Sequence, residues 1–206
     1  MEGDQSHNAS LNRIQYKFLM KSPFSFIVRP YNDRRYDNIK EVGGIELITS
    51  VSQEDHTVSN RYAEVIEVPI GYTGPIEPGD TLLVHHNVFK YYYDMKGKQK
   101  SGKSFLMDNL FLIDHDQFFL YKKDGDWNAH DRYCFVKPAD REDHYLQSSG
   151  TEQPLVGYIK YINQELKDLG LKQGDKISYK PDSEYEFNVD GEKLYRMYTN
   201  HIVIKL

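Results

Sequence analysis

Four blocks of this sequence occur twice in the same order, and this internal repeat limits the possible folds more than any other feature. Each block is a short apolar run, or a turn that leads into one. The matched pairs are residues 26–30 with 134–138, 62–68 with 156–162, 76–82 with 171–177, and 109–113 with 200–204. Four matches in one order are hard to assign to chance. The sequence therefore predicts two copies of one small module that differ in loop length.

The residues in these blocks favour strands. The 206-residue chain contains 17 tyrosines and 10 phenylalanines, and its β-branched residues recur in short runs between turn residues. A helical turn at residues 164–169 has no counterpart in the first copy. The predicted organisation is all-β, with an N-terminal tail at residues 1–22, a first module at 23–121 with a long loop at 31–60, a linker at 122–132 and a second module at 133–206.

Charge and hydropathy argue against several classes of protein. The net charge of −5 disfavours a general nucleic-acid binder, which would usually present a basic face. No apolar run approaches the roughly 20 residues that span a bilayer, and the first 19 residues have no apolar signal core. These features predict a cytoplasmic protein without a nucleic-acid or membrane partner. The single cysteine, Cys134, lies in a strand-like run and is interpreted as a buried structural thiol.

The long loop holds the candidate binding segment. Its residues are Gly43, Gly44, Ile45, Glu46 and Leu47. Two adjacent glycines remove the Cβ restraint at successive positions, and alternating apolar residues follow within a polar segment. Such a loop suits a binding element that stays mobile when free and becomes ordered in a partner's groove. An ordinary turn followed by an edge strand fits the same pattern, so both interpretations stay open.

A Gly-Asp pair precedes an apolar strand in both copies. The pairs are Gly79-Asp80 and Gly174-Asp175. Glycine can occupy a turn position with positive φ, and aspartate can accept a hydrogen bond from a nearby backbone amide. We therefore expect the same turn at both places.

In this order the blocks resemble the GroES-type co-chaperonin family, the small lids of chaperonin rings. The family pattern is an opening strand, a mobile loop with Gly-Gly-Ile-x-Leu, a Gly-x-Val strand, a Gly-Asp turn into an apolar strand, and a closing apolar strand. The first copy matches it at residues 26–29, 43–47, 62–65, 78–84 and 110–113. The second copy matches at 156–159 and 173–177, and residues 187–197 look like the family's last hairpin.

The resemblance implies two tandem small GroES-like β-barrels that bind a partner, with no catalytic residue, cofactor or metal of their own. Residues 43–47 would form the chaperonin-binding loop, and Ile45 and Leu47 would enter an apolar groove of a large GroEL-like ring. The resemblance also implies a homo-oligomeric ring of lids, held by strand pairing between edge strands. Reduced members of the family occur in bacteriophages, and a phage protein of this kind would act in the host cytoplasm.

The chain departs from the family pattern in two loops. The connection at residues 70–80 is too short for the usual roof hairpin. The corresponding loop of the second copy, residues 139–155, lacks Gly-Gly-Ile-x-Leu. We therefore expect an open dome and one binding-competent loop per chain.

Two other functions stay open. The first is a GroES-like barrel used as a structural or assembly protein, with the Gly-Gly loop as a mere connection. The second is nucleotide binding, because residues 97–104 match the P-loop pattern GxxxxGK[ST]. A P-loop requires a helix starting near Lys103, whereas residues 105–113 are typical of a strand.

Other candidate sites have an ordinary structural interpretation. Tyr91–Tyr93 suit a barrel wall better than stacking on bases. His85, His86 and His115 are expected at the surface or half-buried, without metal-ligand spacing. The aspartates 124, 126 and 131 do not fit a calcium loop.

Overall fold

The computed structural model describes residues 20–36, 39–42, 45–48, 59–141 and 152–206, and for 39–42 and 45–48 it describes the backbone alone. Most of the described residues in regular structure lie in strands, helices are short, and the sheets are antiparallel. The predicted all-β class is therefore confirmed.

Seventeen strands and one short helix are found in the described residues. In chain order they are β1 (Phe26–Pro30), β2 (Ile39–Val42), β3 (Ile45–Ile48), β4 (Tyr62–Glu67), β5 (Thr81–Val84), β6 (Tyr91–Tyr93), β7 (Gln99–Ser101), β8 (Phe105–Met107), β9 (Leu110–Ile113), β10 (Phe118–Lys123), β11 (Asp126–Ala129), β12 (Tyr133–Asp140), β13 (Glu152–Tyr161), α1 (Gln164–Asp168), β14 (Lys176–Tyr179), β15 (Tyr185–Val189), β16 (Glu192–Tyr198) and β17 (Ile202–Lys205). Two 3-10 turns lie at Tyr31–Asp33 and Thr199–His201.

The chain divides into two compact units. The first contains the described residues up to Thr81 and His86–Asp114, and the second contains Leu82–His85 and the described residues of His115–Leu206. In the described part of each unit the strands follow an open order, and no sheet closes on itself. The predicted two-barrel architecture is therefore not confirmed.

Four strands of the first unit lie in the order β8-β9-β1-β4, and each pair is antiparallel. Phe26, Ile27 and Val28 of β1 are buried, because this strand has a neighbour on both sides. Val28 pairs with Val65 of β4 and with Phe111 of β9. Two further hairpins, β2–β3 and β6–β7, each form a two-stranded sheet.

Six strands of the second unit lie in the order β15-β16-β12-β13-β14-β17. The predicted helical turn is α1, which buries Leu166 against this sheet. Asn163 caps α1 by accepting a hydrogen bond from the Leu166 amide at 2.9 Å, and its side-chain amide donates to Thr199 Oγ1 at 2.7 Å. The buried cluster around the helix consists of Cys134, Val136, Ile159, Leu166, Ile177, Tyr179 and Met197.

The internal repeat is present in the strand pairing. Val136 of β12 pairs with Ile159 of β13, as Val28 pairs with Val65. The register shifts between Phe135 and Val136, and it shifts at the matching place in β1, between Ile27 and Val28. A bulge interrupts the hydrogen-bond ladder at one residue, so a bulge at the same position in both copies is specific support for the repeat. The predicted match of residues 26–30 with 134–138 is thus reproduced in register.

The predicted match of the closing blocks is wrong. Residues 110–113 form β9, which pairs with β1, whereas residues 202–204 lie in β17, which pairs with β14 instead of β12. The strand that pairs with β12 is β16. Both blocks are short apolar runs, and a local pattern does not specify which strand such a run joins. In the repeat, β16 is therefore the counterpart of β9.

Both Gly-Asp turns form as predicted. Gly79 and Gly174 have φ of 96° and 87°. Asp80 Oδ2 accepts a hydrogen bond from the Glu77 amide at 2.9 Å, and Asp175 Oδ2 accepts one from the Lys172 amide at 2.8 Å. Each turn also exchanges two backbone hydrogen bonds with its matched strand, at Val65 in the first unit and Ile159 in the second.

Residues 122–132, predicted to be a linker, contain the end of β10 and all of β11. These strands pair as a hairpin, with Lys123 opposite Asp126. Asp124 and Gly125 between them both have positive φ, 53° and 91°, which is typical of a two-residue turn joining twisted strands. The charged, glycine-containing composition that indicated a linker is here the composition of a hairpin turn.

Candidate functional site

The predicted binding segment lies in the β2–β3 region. Gly43 and Gly44 are outside the described residues, and Ile45, Glu46 and Leu47 are described by their backbone alone. Positions 45–48 form β3, which pairs antiparallel with β2. In the part of the chain that the structure describes, these two strands pair with each other and with no other strand. The two interpretations of the loop differ in whether the side chains of Ile45 and Leu47 are exposed. These side chains are outside the described part of the structure.

Asn60 forms hydrogen bonds with both chain segments that flank this hairpin. Its side-chain amide donates hydrogen bonds to the carbonyls of Tyr31 and Arg34, at 3.0 and 2.7 Å. Its side-chain oxygen accepts one from the Tyr62 amide at 2.9 Å, and its own backbone amide donates to the Arg35 carbonyl at 3.0 Å. One buried side chain thus fixes the backbone before and after the loop.

Arg35 is buried among aromatic rings at the start of the loop. Its guanidinium carbon lies 4.1 Å from the ring centre of Tyr91, 4.6 Å from that of Phe111 and 5.1 Å from that of Phe105. Its Nη1 donates a hydrogen bond to Ser101 Oγ at 3.0 Å. Burial lowers the pKa of Arg35, and the ring faces offset part of the desolvation cost of the cation.

Tyr36 completes the base of the loop. Its ring stacks on Tyr91 at 6.1 Å, and its hydroxyl accepts a hydrogen bond from the Tyr91 amide at 2.9 Å. Tyr36 also forms an isolated antiparallel bridge with Ser59, whose hydroxyl donates to the His86 carbonyl at 2.8 Å. Burial raises the pKa of Tyr36, so its phenol stays protonated at neutral pH.

These contacts define the loop base, formed by Arg35, Tyr36, Ser59 and Asn60. Tyr36 and Ser59, which precede and follow residues 37–58, pair with each other at this base on the first unit. The sequence analysis did not identify this role of Arg35, which lies in the polar segment around the candidate binding residues. No local pattern signals it, since its partners Tyr91 and Ser101 lie 56 and 66 residues further along the chain.

The P-loop condition is not met. Residues 97–104 contain the turn after β6 and all of β7, and β8 starts at Phe105. No helix starts at Lys103, where the phosphate-binding motif would need one. Nucleotide binding through this motif is therefore removed as an alternative.

The β6–β7 hairpin also corrects the barrel-wall interpretation of the three tyrosines. Tyr91 is half-buried and packs against Arg35, but Tyr92 and Tyr93 are each about half exposed, at 50% and 51%. Both project from a two-stranded hairpin that has no further strand beside it in the described residues.

The remaining candidates behave as structural residues. His85 and His86 are half-buried and His115 is exposed, as expected. Among the described residues, no group of three or more His, Cys, Asp or Glu side chains is placed to hold a metal ion. Cys134 is fully buried as predicted, and burial raises the pKa of its thiol to about 12, which keeps it from acting as a thiolate.

His115 forms an unexpected pair with His130. His115 Nδ1 lies 3.1 Å from His130 Nε2, and the His130 ring also stacks on Phe118 at 4.1 Å. Burial, together with the neighbouring His115, lowers the pKa of His130 to about 4, although Asp131 opposes the shift. The His130 side chain of this pair is therefore neutral at physiological pH.

No protein-family model matches this chain, and no curated protein matches it at a significant level. In the described residues, no helix is long and apolar enough to cross a membrane.

Proposed function

We propose that this protein is a co-chaperonin, a lid that binds a large chaperonin ring through the segment Gly43–Leu47 and assists protein folding there. The observation that supports it is the loop base. Tyr36 and Ser59, the described residues on either side of the loop that carries Gly-Gly-Ile-x-Leu, pair with each other, while β2 and β3 pair only with each other among the described strands. A hairpin in a loop of this kind suits binding to a partner's groove.

The energetics of this binding favour several loops acting together. Burying two apolar side chains such as Ile45 and Leu47 stabilises a complex by roughly 1.5–3 kcal/mol each. Ordering a loop costs about 1–2 kcal/mol per residue of backbone, a cost that a preformed hairpin reduces. One loop is a weak ligand, whereas a ring of subunits that presents several loops gains affinity through effective concentration.

A homo-oligomeric ring is therefore part of the proposal. β17 lies at an edge of the sheet in the second unit, and its Val203 and Ile204 are 55% and 54% exposed. An edge strand with exposed apolar residues is suited to pairing with a strand of another copy. Mass measurement in solution tests this step directly, with a ring expected and a monomer contradicting it.

The test of the function is co-sedimentation with a chaperonin from the same cell, with and without ATP. The variant Ile45→Asp/Leu47→Asp is expected to lose nucleotide-dependent binding. Ile70→Asp/Leu169→Asp is the matched control, because it places the same charges at two apolar residues that are 62% and 68% exposed elsewhere in the chain. The control is expected to bind like the wild type.

The alternative is a GroES-like barrel that serves as a structural or assembly protein. It is favoured if β3 is an ordinary strand of a fixed connection. Absence of binding in every nucleotide state, with a chaperonin shown to bind its own lid, would replace the co-chaperonin proposal with this one.

A further inference from the structure

A lysine-rich hairpin projects from the first unit next to the loop base. We call residues 90–104 the lysine ribbon; it contains β6, β7 and the turn between them. It carries five lysines and one aspartate in a chain whose net charge is −5. Positive charge is therefore concentrated on this one element, which makes it a candidate contact for an acidic partner.

The charge of the lysine ribbon is available to a partner. Asp94, its only acidic residue, is already occupied by the amides of Lys96 and Lys98 and by Lys100 Nζ at 3.3 Å. Among the described residues, Lys96, Lys98 and Lys103 are exposed and form no ion pair. Three lysines of the ribbon thus have no carboxylate partner within the part of the chain that the structure describes.

Apolar side chains are exposed on the same element. Tyr92 and Tyr93 are half exposed, and Met95 in the turn is entirely exposed. Tyrosine and methionine are enriched in the centres of protein–protein interfaces, where charged residues form the rim. The lysine ribbon therefore exposes apolar side chains among its lysines.

A protein surface fits this pattern better than a nucleic acid does. Tyr92 and Tyr93 occupy successive strand positions, so their side chains point to opposite faces of the hairpin and cannot stack on consecutive bases from one side. The acidic net charge of the whole chain also opposes a polyphosphate.

The lysine ribbon and the predicted binding loop share one anchor. Arg35 and Tyr36, which start the loop, contact Tyr91 at the root of the ribbon, and Arg35 also donates to Ser101 in β7. The Tyr91 amide donates to the Tyr36 hydroxyl at 2.9 Å, so the two roots are in direct contact. Two elements whose roots are in contact can be bound by one partner at the same time.

We infer that the lysine ribbon is a second docking element for the partner that takes the loop, and that it binds an acidic patch with an apolar centre on that partner. This inference rests on the proposed co-chaperonin function. The loop supplies the apolar anchor, and the ribbon supplies electrostatic attraction that speeds association.

The test measures association and dissociation of the full chain with the chaperonin ring in ATP, at low and high salt. The ribbon variant is Lys96→Glu/Lys98→Glu/Lys103→Glu. The matched control is Lys167→Glu/Lys172→Glu/Lys180→Glu, which makes the same change in net charge at three exposed lysines of the second unit. We expect the ribbon variant to bind roughly tenfold more weakly than the control at low salt, mostly through slower association, with the difference shrinking in high salt.

A second variant tests the apolar part. Tyr93→Ser/Met95→Ser leaves every charge in place and is expected to dissociate several times faster than the wild type. The inference is overturned, and the co-chaperonin function left intact, if the lysine variant binds like its control and Tyr93→Ser/Met95→Ser binds like the wild type. No binding by the wild type overturns both. Binding of a labelled oligothymidylate by the wild type, lost in the triple lysine variant, would reassign the ribbon to single-stranded nucleic acid.

Discussion

The guanidinium carbon of Arg35 lies 4.1 Å from the centre of the Tyr91 ring, and this contact joins the start of the candidate binding loop to the root of the β6–β7 hairpin. Arg35 keeps its charge in a buried place because two more aromatic rings and the Ser101 hydroxyl also face it. An arginine suits this position better than a lysine, because a planar guanidinium can stack on several rings and donate sideways at once.

Replacing Arg35 should therefore destabilise the first unit. Arg35→Ala removes three cation–π contacts and one hydrogen bond, and we expect a loss of about 2–3 kcal/mol in the free energy of unfolding. Arg35→Lys should recover less than half of that loss. Urea titration followed by circular dichroism measures both. Arg141→Ala, at an exposed arginine of the second unit, is the control and should stay within about 0.5 kcal/mol of the wild type. An equal effect of Arg35→Ala and this control would show that the contact is incidental.

Gly157 lies where β12 and β13 approach closely. A Cβ atom at this position would meet Val136 Cγ1 at 2.4 Å and the Lys137 carbonyl oxygen at 2.6 Å, so backbone as well as side chain would have to move. We expect Gly157→Ala to cost about 1–3 kcal/mol in thermal or urea unfolding. At Gly102 the nearest atom is the Lys90 carbonyl oxygen at 3.4 Å, an ordinary contact, and Gly102→Ala should change stability by less than about 1 kcal/mol. The prediction is wrong if both alanines have the same small effect.

Local structure was predictable from the sequence where one short segment determines it. β9 has the bounds of its matched block, 110–113, and β5 lies within the matched block 78–84, because each is an apolar run that follows a turn. The Gly-Asp turns formed because glycine and aspartate specify the turn within four residues.

Pairing and site geometry were not predictable in the same way. Residues 110–113 and 202–204 share an apolar pattern, yet their strands pair with different members of the repeat. The role of Arg35 depends on rings that lie far along the chain, which no local pattern encodes. Tyrosines such as Tyr92 and Tyr93 are common in both buried and exposed strands. These two are half exposed because, among the described residues, β6 has no neighbouring strand other than β7.

The histidine pair should make stability depend on pH. Burial holds the pKa of His130 at about 4 in the folded protein, against an ordinary value of about 6.5 when unfolded. Between these values the unfolded state binds more protons than the folded state, so stability rises with pH across this window and is lost as pH falls towards 4. His130 can contribute up to about 3 kcal/mol to this change.

The measurement is the free energy of unfolding at pH 5, 6 and 7, a range that lies above the titration of most carboxylates. His130→Gln removes the titrating group and should flatten the slope. An unchanged slope in His130→Gln would assign the pH dependence to other groups, such as His201, whose pKa is also lowered by burial.

The two Gly-Asp turns offer a matched comparison within one chain. Asp80 and Asp175 each accept one backbone hydrogen bond in the same turn, but Asp175 also forms an ion pair with Lys205 of β17 at 2.6 Å. An alanine at either position should destabilise the protein by the loss of the turn bond, and Asp175→Ala should destabilise it more, because it also loses the ion pair.

Asparagine substitutions separate the two contributions. Asp80→Asn keeps a side-chain oxygen that can accept the turn bond, so it should be nearly neutral, whereas Asp175→Asn keeps that bond and loses only the ion pair with Lys205. A double-mutant cycle of Asp175→Asn and Lys205→Met in urea should therefore give a small favourable coupling that decreases in high salt, because both charges are partly exposed. A coupling of zero would mean that β17 is held by its backbone ladder with β14 alone, and equal costs for Asp80→Ala and Asp175→Ala would lead to the same conclusion.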